Sequence, residues 1–100
     1  MYKFTRSGKI KGGSFPDAVR WAKEIAEYVT SKHSPVKVHV YTGMFGDLNT
    51  IFWEIEHKDL ASIESLSAKL VADQGYWAVV GKANGLFIDG TFHDSVMGSV

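Results

Sequence analysis

Two short stretches of strict alternation constrain the fold more than any other feature of the sequence. Residues 36–41 read VKVHVY and residues 51–56 read IFWEIE, so each stretch places an apolar side chain at every second position. Alternation with a period of two is typical of a β-strand that has one face on a core. The glycine-containing loop at 43–49 separates the two stretches, and the pattern therefore predicts an antiparallel hairpin.

The side chains of the hairpin favour one register, in which Tyr41 lies opposite Phe52. One face is then wholly apolar, and it carries the pairs Val40–Trp53 and Val38–Ile55. The other face carries an aromatic pair and two pairs of complementary charge, which are favourable across strands: Tyr41–Phe52, His39–Glu54 and Lys37–Glu56. A slip by one residue would mix the faces, whereas a shift by two would keep them.

Helical patterns precede and follow the hairpin. The first has Ser14 as its N-cap and Pro16 in its first turn, and it ends before Pro35. Its apolar stripe consists of Ala18, Ala22, Ile25, Ala26 and Val29, widened by Trp21 and Tyr28. The second begins at the cap Asp59 and ends at Gly75, with a stripe of Leu60, Ile63, Leu66 and Leu70. A short additional helix is predicted over 76–83.

Residues 1–11 and 86–96 complete the set as a first and a last strand, which gives the order β-α-β-β-α-β in one domain of residues 1–100. Right-handed connections make this an α+β, ferredoxin-like fold, with a four-stranded antiparallel sheet and its helices on one face. We expect six side chains to be buried in the core: Ile25, Val38, Val40, Ile55, Ile63 and Leu66. The sheet face without helices must be polar or be covered by a second copy of the chain.

Composition excludes several classes of function. Eleven basic and eleven acidic side chains give a net charge of zero, so the chain lacks the excess of positive charge that is typical of nucleic-acid-binding proteins. The chain has no cysteine, which excludes disulfides and thiolate chemistry. Because no apolar run approaches the roughly 20 residues of a membrane span and no signal peptide is evident, we expect no membrane partner and a cytoplasmic location.

The stretch FWEIEHKDLASIE at 52–64, the segment DQGYW at 73–77 and RSGK at 6–9 together resemble one family. They are similar to the dimeric α+β barrel superfamily, and within it to the NIPSNAP-like proteins. The resemblance implies a homodimer in which two sheets pack face to face. It also implies a cleft between sheet and helices that binds small, often apolar molecules, and relatives include cofactor-free monooxygenases.

Two other likenesses are incomplete. Haem-degrading relatives use an Asn, a Trp and a His, and here Trp77 and His93 have the right types while the first strand lacks an Asn. Residues 8–15 resemble the phosphate loop of acylphosphatases, but Pro16 stands where that family has an arginine. We therefore expect no cofactor.

The candidate site has two interpretations. In the first, a small molecule binds in a cleft that has aromatic side chains in its walls and a His–Glu pair capable of acid–base catalysis. The candidate catalytic residues are His39, Glu54 and His93. The candidate ligand-binding residues are Tyr41, Trp53 and Trp77. In the second, the polar residues are ordinary surface pairs, the tryptophans are core, and the protein is a non-catalytic oligomerisation or regulatory module. His33 and His57 are expected to be solvated, and no metal is expected.

Overall fold

The elements follow one another in the order that the sequence predicts. The computed structural model describes residues 1–100. Its strands and helices are β1 (Tyr2–Lys9), α1 (Phe15–Lys32), β2 (His39–Thr42), β3 (Thr50–His57), α2 (Leu60–Val71), α3 (Gln74–Val80) and β4 (His93–Gly98), with a short 3-10 turn at Gly81–Ala83.

The four strands form one antiparallel sheet in the order β2-β3-β1-β4, which is the ferredoxin-like arrangement. On β3 the side chains of alternate residues are buried against the helices, whereas those of Phe52, Glu54 and Glu56 lie on the face that no helix covers. The helix-facing residues of β3 are Ile51, Trp53, Ile55 and His57. The predicted fold class is confirmed. No helix of the chain is both long and apolar enough to cross a membrane.

The predicted hairpin register is confirmed over the length of β2. His39 lies opposite Glu54 and Tyr41 lies opposite Phe52. β2 is shorter than predicted, since it begins at His39, and the expected pair of Lys37 with Glu56 lies outside the ladder. The Val38 amide donates to the Thr30 hydroxyl on α1, at 3.1 Å, which joins the residue before β2 to this helix.

The core lies between α1 and the sheet. Trp21 packs edge-to-face on Trp53 with ring centroids 5.7 Å apart, and both rings contact Phe87. Of the six predicted core residues, Ile25, Ile55 and Leu66 are buried, and Val38, Val40 and Ile63 are half-buried. The last three lie near the edges of a domain only one helical layer thick, which leaves part of each side chain accessible.

Two predicted boundaries, the start of the last strand and the end of the second helix, differ from the structure. β4 begins at His93 rather than at residue 86, since Phe87 makes only an isolated bridge with Ile10 and Gly90 turns the chain at φ 77°. The second helix ends at Val71, and Gly75 lies inside α3 instead of closing α2.

Candidate functional site

A cleft of about 260 Å³ lies between the sheet and the helices α2 and α3. Twelve residues line it, and eight of them are hydrophobic: Phe4, Ile55, Ile63, Leu66, Leu70, Val71, Tyr76 and Trp77. The four others are Arg6, His57, Ser67 and Asp94. An apolar cleft with a few polar groups is the usual form of a small-molecule site.

Arg6 and Asp94 form an ion pair on one wall of the cleft. They are cross-strand partners on β1 and β4, and the Arg6 guanidinium donates twice, from Nε to Oδ1 at 2.7 Å and from Nη2 to Oδ2 at 2.8 Å. The guanidinium holds the pKa of the Asp94 carboxyl below its usual value, and Asp94 in turn raises the pKa of Arg6. Both groups stay charged, and their charges cancel within the cleft.

His57 is the second polar group of the cleft, and its imidazole is buried. Its Nδ1 lies 3.1 Å from the Ser62 hydroxyl oxygen, and that hydroxyl donates its proton to the Asp59 carbonyl at 2.9 Å. Because the Ser62 proton is already used, Ser62 Oγ accepts from Nδ1–H of His57. Burial lowers the pKa of His57, which favours the neutral ring. The expectation that His57 is solvated was wrong.

Asp73 fixes the position of α3, which forms one side of the cleft. Its carboxylate accepts from the Tyr28 hydroxyl at 2.8 Å and from the Tyr76 amide at 3.1 Å, and it lies 2.8 Å from His33 Nε2. The His33 side chain is only 12% exposed, so the expectation that it is solvated was also wrong. These contacts join the end of α1 to the start of α3.

This cluster predicts a specific loss of stability in acid. Hydrogen bonds from His33 and Tyr28 lower the pKa of Asp73 from its ordinary value of 3.8 to about 2. A depressed carboxyl pKa stabilises the fold above the unfolded pKa, and that stabilisation is lost as the pH falls from about 4 to about 2. Urea unfolding should show Asp73→Asn to be less stable than the wild type at pH 7, with the difference shrinking across this window. A difference independent of pH would contradict the assigned hydrogen bonds.

Four of the six predicted site residues lie on the other side of the sheet from the cleft. His39, Tyr41, Glu54 and His93 share the face that no helix covers, which we call the open face. The Glu54 carboxylate lies 3.6 Å from the Lys3 ammonium, and no hydrogen bond or ion pair joins it to His39. His39 and His93 are on opposite edge strands, three strand spacings apart and two residues out of register, which places their Cα atoms roughly 16 Å apart. No three such side chains converge as metal ligands.

The two predicted tryptophans have different surroundings. Trp53 is 7% exposed in the core, and its indole donates to the Ala22 carbonyl at 3.2 Å. Trp77 lines the cleft, 51% exposed, with its indole donating to the Val71 carbonyl at 3.0 Å. The hydrogen bond holds the Trp77 ring at the cleft.

Sequence reasoning missed Arg6, His57 and Asp94. A signal for His57 was present, because it continues the alternation of Ile51, Trp53 and Ile55 and so falls on the helix-facing side. Arg6 follows Phe4 by two residues and shares its face for the same reason. Asp94 lies inside the predicted last strand, at the parity of Ile88 and Phe92, but an acidic residue at such a position was not expected to face the helices.

The comparisons with solved structures show the fold. An uncharacterised NIPSNAP domain protein from Burkholderia xenovorans is 14% identical with a TM-score of 0.83, covering 100% of this chain and 95% of its own. A NIPSNAP family protein of unknown function from Agrobacterium tumefaciens is 19% identical with a TM-score of 0.79, over 97% and 86% of the two chains. An antibiotic biosynthesis monooxygenase is 15% identical with a TM-score of 0.72, over 100% and 99%.

No family model and no curated protein matches the sequence. The solved structures show that this chain shares the ferredoxin-like α+β fold of those NIPSNAP proteins and of that monooxygenase, as the resemblance predicts.

Proposed function

We propose that the chain forms a homodimer that binds one small, partly apolar molecule in the cleft between the sheet and the helices α2 and α3. The observation that carries the proposal is the cleft itself, whose lining is mostly hydrophobic and which includes His57 and the Arg6–Asp94 pair. An apolar cavity of about 150 Å³ in another protein binds benzene. A volume of about 260 Å³ suits a substituted single ring.

Blocking the cleft tests the proposal. Ser67 is an exposed residue of α2 that lines the cleft, whereas Ser65 is an exposed residue of the same helix that does not. Ser67→Phe should fill the cleft, and Ser65→Phe makes the same chemical change away from it. We expect wild type and Ser65→Phe to bind 4-ethylphenol in calorimetric titration with a Kd near or below about 1 mM. Ser67→Phe should weaken binding at least about tenfold.

Equal binding by the two variants would show that the ligand lies elsewhere, and absence of saturable binding to wild type would refute the proposal. In that case the alternative is favoured, in which the protein is a non-catalytic oligomerisation module and the cleft binds no ligand.

The homodimer is supported by apolar side chains on and beside the open face. Tyr41 is 52% exposed there and Met97 is 57% exposed, and the loop between β2 and β3 exposes Met44, Phe45 and Leu48. A stable interface requires about 1,000 Å² or more of buried area. Packing two open faces together would cover these groups, and it would also place His39, Glu54 and His93 at the interface instead of in the cleft.

An enzymatic form of the proposal is a cofactor-independent monooxygenase-like reaction. Its support is the fold shared with the antibiotic biosynthesis monooxygenase. Oxygen consumption that depends on both protein and a bound hydroxylated aromatic would favour it, and binding without consumption would favour a carrier or sensor.

A further inference from the structure

The hydrogen-bond chain behind the cleft determines which end of His57 faces the ligand. Asp59 caps α2 through the Ser62 amide, at 2.8 Å, and its own carbonyl accepts the Ser62 hydroxyl proton at 2.9 Å. Ser62 Oγ therefore has only lone pairs to offer His57, and the ring carries its proton on Nδ1. In this tautomer Nε2 has no proton and is a hydrogen-bond acceptor.

Nε2 of His57 is free to meet a ligand. It makes no hydrogen bond within the chain, and the only buried, unpartnered side-chain polar atom is Thr5 Oγ1 on the open face. Nε2 therefore keeps some access to solvent, although His57 as a whole is only 5% exposed, and the cleft is the space that His57 lines. The position of this acceptor is set by α2 and by the end of β3, two regular elements.

Charge in the cleft limits the ligand further. The ionisable groups of the lining are Arg6, Asp94 and His57, together with the Tyr76 phenol. The double hydrogen bond between Arg6 and Asp94 leaves the pair neutral, and buried His57 is neutral as well. An anion would lose its hydration without gaining a free cation, which is costly.

We infer that the cleft selects an uncharged molecule that carries a hydroxyl or N–H group on an apolar body, and that this group donates to Nε2 of His57. The inference rests on the proposed function and specifies its ligand class. A phenol or a hydroxylated ring matches it, whereas the methyl ether of the same ring lacks the donor.

Three ligands that share the 4-ethylphenyl group test the inference on the wild-type protein. They are 4-ethylphenol, its methyl ether 4-ethylanisole, and the anion 4-ethylbenzoate. A neutral hydrogen bond predicts that the phenol binds about threefold to tenfold more tightly than the ether, with the benzoate weakest. His57→Phe should abolish the preference while keeping affinity for the ether. Nitrogen-15 spectra of the wild type should show the His57 proton on Nδ1.

The outcomes separate the two proposals. Equal binding of phenol and ether, tighter binding of ether or benzoate, or a proton on Nε2 would overturn the inference and leave the cleft as a binding site. If none of the three ligands binds, the proposed function fails, and the inference fails with it.

Discussion

Replacing Trp53 with alanine should lower the free energy of unfolding by about 3–5 kcal/mol, the range for truncating a buried aromatic side chain. The ring is 7% exposed, and it packs on Trp21 and stacks on Phe92 with centroids 6.2 Å apart. Its removal also leaves the Ala22 carbonyl without the indole donor. Because small domains are stable by only about 5–15 kcal/mol, urea unfolding should show a much earlier transition.

Trp77→Ala is the matched control for this change, since it removes the same side chain from a half-exposed site on the cleft. We expect it to cost clearly less stability than Trp53→Ala and to weaken 4-ethylphenol binding. Equal destabilisation by the two variants would contradict the assignment of Trp53 to the core and Trp77 to the cleft wall.

Tyr41→Asp should dissociate the proposed dimer. Tyr41 is on the open face of edge strand β2 and is half-exposed in the single chain. A carboxylate at this position should therefore be tolerated in the monomer, whereas the dimer would bury it at a cost in free energy. An aromatic side chain that anchors an interface contributes about 2 kcal/mol or more, so the dissociation constant of the dimer should rise at least about 30-fold. Light scattering at micromolar concentration should give twice the chain mass of 11.1 kDa for wild type and the chain mass for the variant.

Leu60→Asp is the control for the dimer experiment. Leu60 is exposed to a similar extent at the start of α2, away from the open face, so this variant should remain dimeric. A monomeric wild type, or dissociation of both variants alike, would contradict an interface formed by the open face.

The hairpin shows how far the sequence alone leads. Side-chain alternation placed His39 and Glu54 on the same face, because a period of two assigns every residue of a strand to one face, and the complementary pairs favoured the register that the structure has. The cap at Asp59 was also predictable, since the bond to the Ser62 amide is local. The fold class followed from the order of such elements.

The candidate site was less predictable, because it depends on contacts between elements distant in sequence. Arg6 meets Asp94 across 88 positions, and His33 meets Asp73 across 40. The cross-strand pairing predicted a contact of Glu54 with His39, whereas the Glu54 carboxylate forms its ion pair with Lys3 of the neighbouring strand, at 3.6 Å. Trp53 and Trp77 were both candidates for the cleft wall, and the structure buries Trp53 in the core while Trp77 remains half-exposed at the cleft.

The most direct test of the central claim is an amide and indole proton–nitrogen NMR titration of the wild-type protein with 4-ethylphenol. The three tryptophans give three indole signals. If the cleft is the binding site, the Trp77 indole and the Ser67 amide should shift saturably, while the indoles of Trp21 and Trp53 and the amides of the open face stay in place. Saturable shifts confined to the open face around Tyr41, or no saturable shift at all, would contradict the account.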